Sequence, residues 1–458
     1  MVPTGARAKG PVAVRALGIL WLMLGGFVLM ACSADGNPAA QPPGDEPLPF
    51  AVARAAGVER GGGAADPATL GAQVASNNRF AVAMYGQLVR SAAPGENLFF
   101  SPYSMSTALA MAAGGARGTT AAQMRTALAV TLPDQALHEA LDALALGLEE
   151  YVEATAGVEL EVVNSIWGQT GYAFAPAYLE LLARAYGAGV NLLDFAGAPE
   201  ASRRVINDWV AAQTRRRIED LLPPGSISAQ TRLVLTNAVY FLGEWLYRFD
   251  AALTATADFQ RLDGSAVAAP LMQLGRPGER VEVEYARDAR AGVRAINLYY
   301  RGQRLCMTVV LPDAGTFAAF EAGLSVEALD PLLAGLRSTD LPPVRLPRFR
   351  YTSASVSLRE PLQALGMRDA FEPGAADFSG IDGSRSLYIA DVLQKAFVAV
   401  DEQGTEAAAA TAVVFDPGAA PDDAPQFVAD RPFVFLVRDT HTGLVLFMGR
   451  IVDPTRSE

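Results

Sequence analysis

The 458-residue chain predicts one large α+β domain, with helices dominating its first half and strands its second. Three observations carry this. Three- and four-residue apolar spacing runs from Thr69 to about Leu222, and compact apolar runs follow from Leu233. Hydrophobic residues make up 51% of the chain, enough for a sizeable core. After residue 68 no fixed-period repeat and no Pro/Gly-rich linker divides the sequence.

Val74, Phe80, Ala81, Met84, Tyr85 and Leu88 share one helical face. Leu98-Phe99-Phe100 is strand-like, and Ser101-Pro102 opens a helix in cap-then-proline order, ending near Gly114-Gly115. A further helix starts near Thr119 and Thr120, and an acidic amphipathic one spans 137–156, with Gly157 just past its end. Residues 163–167 and 190–195 read as strands, and 177–186 and 201–222 as helices. The run Arg215-Arg216-Arg217 then falls on a solvated helix face, or marks an anion site. Residues 233–241, 292–312, 344–350 and 387–400 are strand-like, with Pro347 placing its strand at an edge. Residues 433–437 and 444–452 form a closing hairpin about Thr442-Gly443.

Composition excludes several kinds of chemistry. Lys and Arg total 37 against 49 Asp and Glu, a net charge of −12 that argues against nucleic-acid binding. Two histidines, His138 and His441, exclude an HExxH zinc site and give a hydrolytic triad little support. Two cysteines exclude a disulfide scaffold or a four-cysteine metal site, and no cofactor is implied. Cys306 sits in an apolar run and reads as a buried small hydrophobe.

Residues 1–31 contain Arg7, Lys9 and Arg15, no acidic residue, and an uncharged stretch from Ala16 to Ala31 that is short for a bilayer span. This reads as an export signal. Leu29-Met30-Ala31-Cys32 resembles the bacterial lipoprotein signal, which implies cleavage before Cys32 and acylation of its thiol. Ser33 in place of Asp then implies outer-membrane rather than inner-membrane retention in a bacterial cell envelope. Residues 32–67, rich in Pro, Gly and Ala with Gly61-Gly62-Gly63, are expected to form a flexible tether, leaving 68–458 as the folded domain.

One segment does not fit an ordinary fold. Glu402, Gly404, Thr405, Glu406, Ala407, Ala408, Ala409, Ala410 and Thr411 form a small-residue run directly after a predicted central strand, followed by a Pro/Asp-rich stretch. Alone it could be an exposed tether, or a segment whose alternate small side chains fit beneath a sheet. The neighbouring stretches are more specific. NLFFSPYSMSTALAMAAGGARGTTAAQM (97–124), the stretch 206–249 with LTNAVYFLGEWLYRF, LPRFRYTSASVSLREPLQALGMRDAF (346–371), ADFSGI (376–381), VAVDEQGTEAAAATA (398–412) and RPFVFLVRDTHTGLVLFMGRIVDP (431–454) together resemble the serpin family. The resemblance covers roughly residues 68–458, in family order.

The resemblance implies eight or nine helices, a central five-stranded sheet A, sheets B and C, and an exposed reactive loop. It implies a monomeric inhibitor, not an enzyme, that acts as a suicide substrate for a serine or, in some members, a cysteine protease. The protease cleaves the loop and becomes acyl-linked to it. The loop then enters sheet A as an extra strand. On this pattern Glu402 begins the hinge, Gly404 supplies flexibility, Thr405 enters first, and Ala407, Ala409 and Thr411 follow on the inward parity, with Glu406 outward. Ser101, Ser104 and Asn237 resemble the shutter beneath sheet A, and Trp245 the breach where the hinge enters. Without the resemblance these residues would read as a helix cap, a buried amide and a core aromatic. Gln394 stands where family inhibitors commonly carry a shutter histidine, and cannot titrate near neutral pH.

Counting from Glu402 at family spacing places the acyl residue at Gly418, followed by Ala419; counting back from Arg431-Pro432-Phe433 places it at Pro421. The stretch Gly418 to Ala420 is preferred, and its small residues suit an elastase-like or subtilisin-like protease. Phe415 would instead suit a chymotrypsin-like one. No Arg or Lys occurs between 403 and 430, which argues against a trypsin-like target. The alternative function is a non-inhibitory surface binding protein on the same fold.

Overall fold

The computed structural model describes residues 48–405 and 425–457. Residues from Pro49 onward form one compact unit. In chain order the elements begin with β1 (Ala51–Ala53), α1 (Pro67–Ser91), β2 (Leu98–Phe100), α2 (Pro102–Ala113), α3 (Gly118–Ala127) and α4 (Asp134–Ala154). They continue with β3 (Val158–Gln169), α5 (Pro176–Tyr186), β4 (Val190–Leu193), α6 (Pro199–Gln213) and β5 (Leu233–Glu244). Next come β6 (Ala255–Gln260), β7 (Ala266–Leu274), β8 (Val281–Asp288), β9 (Val293–Tyr299) and β10 (Leu305–Pro312), then α7 (Phe317–Ala322), α8 (Val326–Ala334), β11 (Arg337–Leu341), β12 (Val344–Pro347), β13 (Phe349–Thr352) and β14 (Val356–Ser357). The last are α9 (Arg359–Ala364), α10 (Ser379–Asp382), β15 (Val392–Val400), β16 (Gly404–Thr405), β17 (Phe433–Asp439) and β18 (Val445–Ile451).

The described residues thus hold ten α-helical segments where eight or nine were expected; α7 and α9 have only 6 residues each and α10 only 4. Three sheets result. Sheet A has the order β1-β4-β3-β5-β16-β15-β13, with β14 also on β15. It has eight strands rather than five, because the short β1, β14 and β16 add to it. Sheet B runs β11-β8-β9-β10-β17-β18-β2, and sheet C runs β12-β7-β6. Pro347 ends β12, the edge strand of sheet C, so the missing N–H costs no ladder bond within the sheet. Helix α2 is almost wholly buried and touches β3, β5 and β18, which puts its N-terminus under the middle of sheet A.

Several expectations shift for local reasons. Helix α6 stops at Gln213, nine residues short of 222: Thr214 turns its hydroxyl onto the Val210 carbonyl, and Arg215 and Arg216 take positive φ. The three arginines therefore leave the helix. Arg215 pairs with Glu159, Arg216 with Glu219, and Arg217 lies over the Phe397 ring. The predicted strand 344–350 is broken at Arg348 between sheets C and A. The larger correction concerns 49–67, expected as tether. Asp66 caps α1 by accepting from the N–H groups of Ala68 and Thr69, with Pro67 at the first helical position, so the helix starts before 68. Upstream of it, β1 pairs antiparallel with β4 and Arg60 forms ion pairs with Asp142 and Glu149.

Candidate functional site

β15 ends at Val400 and the chain reverses within four residues. The Asp401 carboxylate accepts from the N–H groups of Gln403 (2.8 Å) and Gly404 (3.3 Å), while the Asp401 N–H donates to the Gly404 carbonyl (2.9 Å). This turn aims β16 into the gap between β5 and β15. Gly404 and Thr405 pair with Glu244 and Gly243 of β5, and Thr405 also pairs with Val400. A Cβ on Gly404 would stand 2.1 Å from the Gly243 carbonyl oxygen and 2.8 Å from the Glu244 Cα. Gly404 therefore acts by close backbone approach, and its φ is not in the left-handed region; flexibility is not what this conformation asks of it.

Thr405 is buried inside the sheet, its hydroxyl 2.7 Å from that of Tyr300. The expected first residue of the inserting segment is thus already in place in the intact chain. Trp245 forms the roof: it stacks on Tyr300 with centroids 4.7 Å apart, donates its indole N–H to the Asp401 carbonyl (2.8 Å), and donates its backbone N–H to the Gln403 carbonyl (2.8 Å). Phe249 donates its N–H to the Glu402 carbonyl (3.0 Å). The Glu402 carboxylate is buried and accepts from Thr254 and Arg348, both at 2.5 Å. Burial pushes that carboxyl up, the bonds from Arg348 and Thr254 pull it down, and the balance lies below the ordinary value. Asp401 is shifted upward, mainly by burial.

A second cluster lies further along the same seam. β5 and β15 run parallel from Leu235–Val392 to Val239–Ala396, and Asn164, Asn237 and Gln394 stand side by side across β3, β5 and β15. Gln394 donates to Asn237 Oδ1 (2.7 Å) and reaches the Ser101 carbonyl (3.4 Å). Asn237 donates to Asn164 Oδ1 (2.7 Å) and to the Ser104 hydroxyl, which itself donates to Asn164 Oδ1 (2.7 Å). Ser101 caps α2 by accepting the Ser104 N–H (3.2 Å) and donates to the Leu446 carbonyl on β18 (2.7 Å). Every partner is a neutral hydrogen-bonding group, so a strand entering between β5 and β15 must break the Gln394–Asn237 bond without any change of charge. The neutral Gln394 amide, noted in the sequence as a departure from the family pattern, completes the network.

All five residues expected at shutter and breach therefore join these two clusters, as do Glu402, Gly404 and Thr405 of the expected hinge. Glu406, Ala407, Ala408, Ala409, Ala410, Thr411, Phe415, Gly418, Ala419, Ala420, Pro421 and Cys32 lie outside the described residues. Sequence reasoning missed Asn164, Tyr300, Thr254 and Arg348. Asn164 carried one signal, an amide inside the apolar run 163–167; the others carried none. Phe427 and Ala429 pair through their backbones with Arg345 on β12, so the two described flanks of the segment 406–424 are held in sheets A and C. His138 lies on α4, its ring bonded to Tyr186, and Cys306 is a buried free thiol whose pKa burial raises to about 11.

The family model described as serpin (serine protease inhibitor) matches residues 75–454. An uncharacterized serpin-like protein of Thermococcus kodakarensis is 38% identical over 379 residues, covering 82% of this chain and 84% of its own. The leukocyte elastase inhibitor of Bos taurus is 37% identical over 388 residues, covering 83% and 99%. The crystal structure of Serpin48 from the insect Tenebrio molitor matches with a TM-score of 0.71 at 28% identity, covering 83% of this chain and 98% of its own. With the three sheets and the seam between β5 and β15, this chain belongs to the serpin family.

Proposed function

We propose that the chain is a suicide-substrate inhibitor of a serine protease, trapping its target when the cleaved loop inserts between β5 and β15. The observation that carries this is β16: Gly404 and Thr405 already occupy the upper end of the seam as a nascent strand, while the pairs from Leu235 to Val239 below remain closed. The following residues, with Ala407, Ala409 and Thr411 on the buried parity, suit continuation of that strand. Both described flanks are held, one in sheet A and one beside β12, which restrains an uncut segment from entering; cutting it removes the restraint, and a new strand would gain ladder bonds. Small residues at Gly418 to Ala420 suit an elastase-like or subtilisin-like target, and the resemblance to an elastase inhibitor supports that class. Leu29 to Cys32 supports a lipid anchor at a bacterial outer membrane, to be checked by the intact mass of the mature N-terminus.

Paired melting scans test the mechanism. Protein nicked once at 418–420 melts well above the intact protein, although a peptide bond has been lost. An unchanged or lower transition after a verified cut refutes insertion and favours a non-inhibitory binding protein on this fold.

A further inference from the structure

The glycine-rich segment before α1 is bound at two places that belong to different parts of the fold. Its first anchor is on sheet A. Residues 51–53 form β1 on the outer side of β4, in register from Ala51–Leu192 to Ala53–Val190. Gly189 admits this pairing, since a Cβ there would stand 2.5 Å from the Ala53 carbonyl oxygen. Phe50 meets Trp167 of β3 edge-on, ring centroids 4.8 Å apart. Trp167 in turn donates to Thr236 of β5 (3.0 Å), and Thr236 pairs directly across the seam with Leu393 of β15. The second anchor is on the helices. Arg60 bonds Asp142 (2.6 Å) and Glu149 (2.9 Å) on α4, Gly61 N–H donates to the Arg184 carbonyl on α5 (2.7 Å), and Gly63 N–H reaches Asp142 (3.2 Å). The Asp142 side chain is only 5% exposed, and among the described residues its hydrogen bonds come from this segment. Gly61 and Gly63 allow the close fit: a Cβ on Gly63 would press to 2.8 Å from Leu146, and one on Gly61 to 3.3 Å from the Arg184 carbonyl. Six residues, 54–59, join the two anchors.

An added strand between β5 and β15 requires β5 to part from β15. β3 is paired with β5 along eleven positions and β4 with β3 along four, so they shift as one block with β1 at its outer edge. The segment ties that block to α4 and α5, which do not belong to the sheet. We propose that residues 49–63 are a strap that holds sheet A closed, so that its docking governs how readily a further strand enters the seam. The proposal rests on the mobile-sheet reading above. Contiguity from Phe50 through Trp167 and Thr236 to the seam makes the coupling physically direct, and the experiment measures it.

The readout is uptake of a fluorescent synthetic peptide copying residues 404–415 by intact full-length protein, which involves neither a protease nor loop cleavage. Two substitutions release one anchor each: Arg60→Gln removes the cation from Asp142, and Phe50→Ala removes the ring packed on Trp167. Each is expected to speed uptake about tenfold. A disulfide from Ala51→Cys with Leu192→Cys, at directly paired positions, is expected to slow uptake, with the rate restored by reductant. This opposite, reversible effect separates a strap from general destabilisation. Equal uptake rates in wild type, both release variants and the oxidised lock overturn the strap while leaving the mobile sheet intact. No uptake by any of them, including after release, overturns the mobile-sheet reading and the strap with it.

Discussion

Thr405→Arg tests the proposed mechanism at its first step. Thr405 is 2% exposed, held between Gly243 and Val400, with its hydroxyl on Tyr300 beneath the stacked Trp245. Removing that hydroxyl loses about 1 kcal/mol of hydrogen bond and leaves the buried Tyr300 hydroxyl unpaired, for about 1–3 kcal/mol in all. Arginine adds a buried charge. Glu402, the buried carboxylate of the preceding turn, is already engaged by Arg348 and Thr254, so it offers the guanidinium no ready partner. The chain's cheaper course is to expel Gly404 and Thr405 from the sheet. Re-entry after cleavage then carries a barrier higher by about 2–4 kcal/mol, which slows the first insertion step roughly 30- to 1000-fold. Trapping competes with completion of hydrolysis, so the variant should be cleaved and released rather than held. The assay is the fraction of an elastase-like or subtilisin-like protease recovered in an SDS-stable complex, with the number of inhibitor molecules consumed per enzyme. Thr405→Ser should retain trapping, and Thr405→Val should fall between Ser and Arg. If Thr405→Arg forms as much complex as wild type, entry through the gap beside Gly243 is not how this protein traps a protease.

Two further predictions concern the body. Burial lowers the His138 pKa from about 6.5 to about 4, so the folded protein keeps the ring neutral while the unfolded chain protonates it. Stability from this group is therefore complete above about pH 6.5 and lost as pH falls towards 4, about 3 kcal/mol in all; His138→Asn, which can keep a bond to Tyr186, should flatten the acid limb of denaturation curves. Asn237→Ala leaves Gln394 and Ser104 without their shared partner across the seam and should cost about 3 kcal/mol or more in urea unfolding, while making the sheet easier to open. An unchanged unfolding midpoint would show that the network carries no load.

The small-residue run was visible as composition and parity, which are local, but its reading as a hinge came only from the flanking stretches. Ser101 and Asn237 were recognisable only through the order of the flanking stretches. Asn164, Tyr300, Thr254 and Arg348 escaped because each acts through a partner at least several dozen residues away, and no spacing in the chain announces such a meeting. Gly404 shows the same limit in reverse. Its identity was noted and its reason was not, since the oxygen that excludes a side chain belongs to Gly243, 161 positions earlier.

The sequence by itself determined the α+β class, the helix starts marked by proline and a cap, the family, and the small-residue segment leaving a central strand. These follow from periodicity, propensity and side-chain size, which are properties of neighbouring residues. Only the tertiary structure decided that Gly404 and Thr405 are already inside sheet A, that a neutral Gln394–Asn237 bond bridges β15 and β5, and that 49–63 is bound rather than free. A stretch of Gly, Ala and Pro buries too little of its own to order itself, so read alone it is a tether. It is ordered here because β4 offers it an unpaired edge and α4 offers a buried carboxylate that needs a cation, and both are made by residues more than 70 positions away.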